Sequence, residues 1–128
     1  MSDEARLWCQ YADENRRSAL VLLGQSLFNP CLQNAQQAVE KYLKALLLKH
    51  ELPLRRTHSI QELALLLRES RIDVPLSDDD IELLDSIYLP SKYPVGSALP
   101  DFVPGEEVCR RCIALAEMIR ATVEKALA

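Results

Sequence analysis

The sequence predicts an all-α fold, an antiparallel up-down helical bundle of four main helices plus a short fifth. Only three glycines occur in 128 residues, and the abundance of alanine and leucine favours helices over strands. Apolar residues recur at intervals of three and four, whereas the period-two alternation of strands is missing from the sequence. The length is that of one ordinary domain, so residues 1–128 are predicted to form a single helical domain.

The first two helices are predicted over about Ser2–Gln25 and Pro30–Lys49, with Ser2 as an N-cap. The inner stripe of the first helix is formed by Trp8, Ala12, Ala19 and Leu22, with Asn15 as a polar interruption. The second helix has the strongest periodic signal in the chain, at steps of three and four through Leu32, Ala35, Val39, Tyr42 and Leu46. This pattern predicts that the second helix lies at the centre of the core.

Three further helices are predicted over about Ile60–Ser70, Asp78–Leu89 and Gly105–Leu127. The third opens with Ser59 followed three residues later by Glu62, which is the spacing of a capping box. The fourth opens in the same way with Ser77 and Asp80, and Pro90 is predicted to end it.

The formal net charge of −4 and the pI near 5.2 disfavour non-specific nucleic-acid binding, because such proteins usually present a basic face. No apolar run approaches the length of a transmembrane helix, and the N-terminal residues do not resemble a signal peptide. We therefore expect a cytoplasmic protein with no membrane partner.

Cys109 and Cys112 form a C-x-x-C pair, which could be half of a zinc site or a redox motif. Their spacing also continues an apolar helical seam through Ala116, Ile119, Val123 and Ala126. Buried, reduced cysteines are therefore the favoured interpretation, and no metal or cofactor is predicted.

Three segments, "QQAVEKYLKALL", "THSI" and "SKYP", together resemble the HEPN family, a nucleotide-binding domain shared by higher eukaryotes and prokaryotes. The resemblance covers nearly the whole chain. It implies a bundle of four to five helices, commonly a homodimer. In prokaryotes it also implies frequent pairing with a small nucleotidyltransferase, as toxin and antitoxin.

Some members of that family are metal-independent ribonucleases, which carry an Arg, four to six residues, and then a His. In this sequence no Arg stands at the required positions before His50 or His58, so no catalytic residue is predicted. The expected function is a nucleotide-binding module that acts with a nucleotidyltransferase partner. The alternatives are a ribonuclease-type toxin that uses His58 with Arg55 or Arg56, and a purely structural homodimer.

The expected ligand-binding residues are Lys44, Lys92, Tyr93, His58, Glu40 and Arg56. Lys44, Lys92 and Tyr93 would line a cleft between the second helix and the late loop, where lysine meets phosphate and tyrosine stacks on a base. Arg56 and His58 precede the third helix, whose free amides would also favour an anion. The opposing interpretation is that Glu40 and Lys44 are an exposed i, i+4 pair on a solvated face.

Overall fold

The computed structural model describes residues 3–92 and 105–128, without the side chains of residues 89–92. This part of the chain is all-helical, as predicted, with helices α1 (Asp3–Gly24), α2 (Phe28–Lys49), α3 (Ile60–Glu69), α4 (Asp78–Lys92) and α5 (Glu106–Leu127). None of its helices combines the length and the apolar character that a bilayer crossing requires.

Helix α2 is the central element of the bundle. Between Pro30 and Lys49 none of its residues is exposed. The predicted apolar stripe is buried throughout, and α1 and α5 pack along it while α3 and α4 add shorter contacts. The prediction that this helix forms the centre of the core is therefore confirmed.

Helix α1 runs antiparallel to α2, as two hydrogen bonds at different positions along the helix pair show. The Cys31 thiol lies 3.3 Å from the carbonyl oxygen of Ala19, and the Lys41 ammonium donates to Asn15 at 2.7 Å. Near the middle of α1, Arg16 also donates to Glu117 of α5 at 3.2 Å. The inner residues of α1 at these contacts are small alanines, so α1 and α2 can approach closely.

Helices α3 and α4 form an antiparallel hairpin with well-capped N-termini. The Ser59 hydroxyl accepts from the amide of Glu62 at 3.1 Å, as the capping spacing predicts. Ser77 and Asp80 complete a reciprocal capping box, with both hydrogen bonds at 3.0 Å. Across the connection, the Arg68 guanidinium donates to the carbonyls of Val74 and Leu76, which fixes the turn.

Two prolines behave differently from their predicted roles at helix ends. Helix α2 begins at Phe28, so Pro30 lies inside its first turn, where an amide has no intrahelical partner in any case. Helix α4 continues past Pro90 to Lys92, so the prediction that Pro90 ends it at Leu89 was wrong. A proline so close to the end removes one hydrogen bond without preventing the last turn. The Ser2 cap lies outside the described residues.

The C-terminal ends of α1, α2 and α3 share one geometry. In each, the chain turns through a non-glycine residue in the left-handed region, with φ values of 57°, 58° and 63° at Ser26, Glu51 and Arg71. The next amide then reaches back to the last turn, in Leu27 to Leu22, Leu52 to Leu47 and Ile72 to Leu67. These are Schellman motifs, which satisfy helix-end carbonyls and fix the exit direction of the chain.

The four cysteines are free thiols packed within or against the core. Cys31, Cys109 and Cys112 are buried, and the Cys109 thiol lies 3.5 Å from the carbonyl oxygen of Phe28. Within residues 3–92 and 105–128, no three His, Cys, Asp or Glu side chains are grouped as metal ligands. The seam through Cys109 and Cys112 is therefore core packing, as the sequence favoured.

Because burial raises the pKa of the Cys109 and Cys112 thiols to about 12, both stay protonated near neutral pH. A protonated thiol is a poor nucleophile. We expect the native protein to react slowly with a thiol-specific disulfide reagent. The unfolded protein should react quickly at all four cysteines, with four equivalents of reagent consumed per chain. Rapid modification of Cys109 or Cys112 in the native state would contradict this packing.

Candidate functional site

Glu40 and Lys44 form a buried ion pair on α2. The ammonium nitrogen of Lys44 lies 3.0 Å from Oε2 of Glu40, and the two residues are only 6% and 2% exposed. The interpretation of this pair as exposed surface decoration was therefore wrong. The reason is that neighbouring elements cover the face of α2 that carries Glu40 and Lys44.

His58 lies against the same carboxylate from the segment that leads into α3. Its Nδ1 is 3.2 Å from Oε1 and 3.3 Å from Oε2 of Glu40. Because an ionised carboxylate can only accept, the proton of a neutral His58 ring belongs on Nδ1 in this geometry. The opposite face of the site is set by Tyr88 of α4, whose ring stacks on the imidazole at a centroid distance of 4.7 Å.

Trp8 of α1 completes the surroundings of Lys44. The ammonium lies 5.3 Å from the centroid of the indole ring, which is a cation–π distance. The lysine is thus held between a carboxylate and an aromatic face. Four elements of the chain, namely α1, α2, α4 and the segment before α3, therefore converge on one pair of charges.

A third polar side chain lies on the same face of α2, one turn before Glu40. Gln36 is 1% exposed, and its Oε1 accepts from Gln37 at 2.8 Å. Its Nε2 is buried and has no hydrogen-bond partner among the described residues. Gln36, Glu40 and Lys44 thus form a buried polar row at i, i+4 and i+8, which we call the α2 polar row. An unsatisfied buried amide is uncommon and is a hint of function rather than of stability.

The sequence predicted that free backbone amides at the start of α3 could bind an anionic ligand, but these amides are already hydrogen-bonded. The carboxylate of Asp85, from α4, accepts from the amides of Ile60 and Gln61 at 2.6 and 3.1 Å. That anion site is therefore already occupied by a side chain of the protein. Arg55 and Arg56 are exposed, and neither forms an ion pair within the described part of the chain. The cations of this region thus remain available although the amides do not.

The structure brings together Glu40, Lys44 and His58 from the predicted set, with Arg56 two residues from His58. The side chain of Lys92 and all of Tyr93 lie outside the described residues. Sequence reasoning missed Gln36 and Tyr88, and it placed Trp8 in the apolar stripe only. The four-residue spacing of Gln36, Glu40 and Lys44 on an otherwise apolar helix was the signal that could have revealed the row.

A second polar network joins α1, α2 and α5 on another side of α2. The Tyr42 hydroxyl donates to Asp13 and accepts from Arg16 at 3.3 Å. Burial, together with the bond to Asp13, raises the pKa of Tyr42 above its usual range. Arg120 of α5 lies 3.6 Å from Asp13 and 3.1 Å from Glu124. These groups pair with one another and fasten the three helices together, although Nε of Arg120 is buried without a hydrogen-bond partner among the described residues.

The family model described as the HEPN domain matches residues 5–126. The chain belongs to the HEPN family. Two solved structures are similar to this HEPN protein over almost their full length. TT1696 from Thermus thermophilus is 29% identical, with a TM-score of 0.68 over 98% of this chain and 99% of that one.

ST0689, an archaeal HEPN homologue, is 20% identical and has a TM-score of 0.65 over 99% of this chain and 100% of its own. At that identity the likeness shows the fold alone. No significant match was found among curated proteins. The predicted resemblance to the HEPN family and the predicted helical bundle are both confirmed.

The burial of the Glu40–Lys44 pair leads to a stability prediction. Lys44→Met leaves a buried carboxylate without its ammonium partner, and we expect the free energy of unfolding to fall by about 3–5 kcal/mol. Replacing both charges, in Glu40→Leu with Lys44→Met, should recover most of the loss because neither charge then has to be desolvated. Denaturant unfolding measures both changes.

Arg110→Met is the matched control, because it breaks another i, i+4 pair whose side chains are 64% and 61% exposed. That variant should change the free energy of unfolding by at most about 0.5 kcal/mol. If Lys44→Met proves no more harmful than Arg110→Met, the pair is not buried in solution.

Proposed function

We propose that this HEPN protein is a nucleotide-binding module. Its ligand binds at the exposed surface formed by His58, Arg55 and Arg56, which we call the basic surface. The observation that carries the proposal is the buried Glu40–Lys44 pair that holds the imidazole of His58 beside Tyr88. The proposed ligand places its phosphate near these cations and its base near the aromatic rings.

The energetics of burial support a functional role for the pair. Two ions removed from water lose several kcal/mol of hydration each, and an apolar pair of similar size is often equally stable or better. The geometry of Glu40 and Lys44 instead supplies a fixed hydrogen-bond acceptor for His58.

The positive charges of the basic surface suit an anionic ligand. Arg55 and Arg56 are exposed, and arginine recognises phosphate through two parallel N–H donors. Lys92 and Tyr93 are proposed to add a cation and a stacking ring from the end of α4. Because Lys44 is committed to Glu40, we now assign it a supporting role in place of the direct phosphate contact expected from the sequence.

The test of this proposal is calorimetric titration of the protein with AMP. We expect saturable binding at or below millimolar ligand. Arg56→Ala and Lys92→Ala should each weaken it about tenfold or more, since a hydrogen bond to a charged group contributes about 1.5–3 kcal/mol. Arg110→Ala, which removes an exposed arginine of α5, is the control and should leave the affinity unchanged.

A titration without heat or other saturable signal at millimolar AMP would show that the basic surface is not a nucleotide-binding site. Equal losses in the Arg110→Ala and Arg56→Ala variants would point to a general effect of net charge instead of a site.

The proposal includes two partners that the family resemblance implies. One is a second copy of the chain, and the other is a small nucleotidyltransferase in a toxin–antitoxin-like pair. A nucleotidyltransferase encoded in the adjacent reading frame would support the second partner. For the first, α1 presents large apolar side chains that are 44–66% exposed, at Leu7, Tyr11, Leu20 and Val21.

A homodimer has about twice the chain mass of 14.5 kDa, which sedimentation equilibrium at micromolar concentration measures. If the exposed apolar face of α1 forms the contact, Val21→Glu should shift the protein to monomer, because a charge would be buried at the interface. Leu65→Glu, on the exposed side of α3, is the control. A wild-type protein that sediments as a monomer would refute the dimer.

The ribonuclease alternative has one observation in its favour, which is the orientation of His58 by a carboxylate. A general base of this kind also needs a cation placed on the reacting phosphate. Within the described residues, no hydrogen bond joins Arg55 or Arg56 to His58, so no preformed pair of base and cation is present there. The geometry therefore supports binding better than cleavage.

A further inference from the structure

We infer that, in the nucleotide site proposed above and dependent on that function, the ligand's phosphate binds His58 only as the doubly protonated imidazolium. Binding then takes up one proton per site. The consequence is a way to identify the ligand class: a terminal anionic group binds with proton uptake, whereas a neutral hydroxyl or amine binds without it. The contacts of the two ring nitrogens lead to this conclusion.

The first ring nitrogen carries a proton in either charge state of the ring. Nδ1 faces the Glu40 carboxylate at 3.2 and 3.3 Å, and a carboxylate offers only acceptors. The ammonium of Lys44 donates to Oε2 of the same carboxylate at 3.0 Å. Stacking on Tyr88 further restricts rotation of the ring. Nδ1–H therefore donates to Glu40 and cannot donate to a ligand.

The second nitrogen, Nε2, is the one that a ligand can meet. It lies on the edge of the ring away from Nδ1, the His58 side chain is 56% exposed, and Nε2 has no hydrogen-bond partner among the described residues. In the neutral ring with Nδ1 protonated, Nε2 is an acceptor. The oxygens of a phosphate dianion are also acceptors, so the dianion and Nε2 repel each other until Nε2 gains a proton.

The charged groups that face His58 make its ring the variable charge of the site. Glu40 and Lys44 of α2 neutralise each other. From α4, Tyr88 contributes its ring, and the carboxylate of Asp85 is engaged by the amides of Ile60 and Gln61. Arg55 and Arg56 stay positive at every relevant pH. Histidine is the side chain whose charge ordinarily changes between about pH 5 and 8.

Ligands that present a hydrogen-bond donor to Nε2 would show the opposite pH dependence of affinity. A hydroxyl or amine can donate to neutral Nε2 without any proton uptake, and its affinity would rise as the ring loses its charge. The direction of the pH dependence therefore identifies the group that contacts His58. An anion gives tighter binding at lower pH, and a neutral donor gives tighter binding at higher pH.

The experiment is calorimetric titration with AMP at about pH 8, in buffers with different heats of ionisation. At this pH the phosphate of AMP, whose second pKa is about 6, contributes little of its own. The slope of the binding enthalpy against the buffer heat gives the protons taken up. We expect a net proton uptake by the wild type, with an affinity for AMP that falls as the pH rises.

His58→Gln is the matched variant, because its amide donates a hydrogen bond at every pH without titrating. We expect it to bind AMP with no proton uptake and no comparable pH dependence. Circular dichroism checks that it folds, and the wild-type buffer series decides the matter even if it does not.

Saturable AMP binding by the wild type without proton uptake would overturn the inference and leave the proposed nucleotide function intact. Equal uptake in wild type and His58→Gln would also overturn it, since another group would then titrate. Absence of AMP binding at every pH would remove the proposed function, and the inference with it.

Discussion

The burial of most of the surface of α2 is the constraint on which the rest of this structure depends. A helix that is covered all round is normally apolar all round, because each buried polar group must find a partner. This helix instead carries Gln36, Glu40 and Lys44 in its buried surface. Neighbouring elements supply partners for the two charges. Trp8 of α1 lies over the ammonium of Lys44, and His58 before α3 lies against the carboxylate of Glu40, with Tyr88 of α4 stacked on its ring.

The two polar networks around α2 differ in kind. The network of Tyr42, Asp13 and Arg16 closes on itself and on α5, so its groups are used up in holding three helices together. The α2 polar row does not close. His58 keeps one nitrogen at a half-exposed edge, and the amide of Gln36 has no partner within the described residues. Chemistry in a helical bundle is expected where such a network stays open, because a saturated network can only stabilise.

The helices were predictable from sequence to within a few residues, because periodicity and capping are local properties. The Ser59 and Ser77 caps, the apolar stripe of α2 and the seam of α5 all behave as their spacing indicated. The site was predictable only in part. Glu40 and Lys44 have a spacing that fits an exposed pair equally well, and burial depends on what covers them. Asp85 and Tyr88 act on His58 and α3 from another helix, and no local pattern predicts that contact.

The glycine-poor helix ends carry a consequence of a different sort. Ser26, Glu51 and Arg71 occupy left-handed backbone positions, where an ordinary residue is strained by roughly 1–2 kcal/mol and glycine is not. The fold thus has three strained backbone positions, each at a connection between two helices. Because the Schellman turns are built from neighbouring residues, the path of the chain through its first three reversals is specified locally. A glycine at any one of these positions would relieve the strain and raise the free energy of unfolding, while the side chains of the α2 polar row stay unchanged.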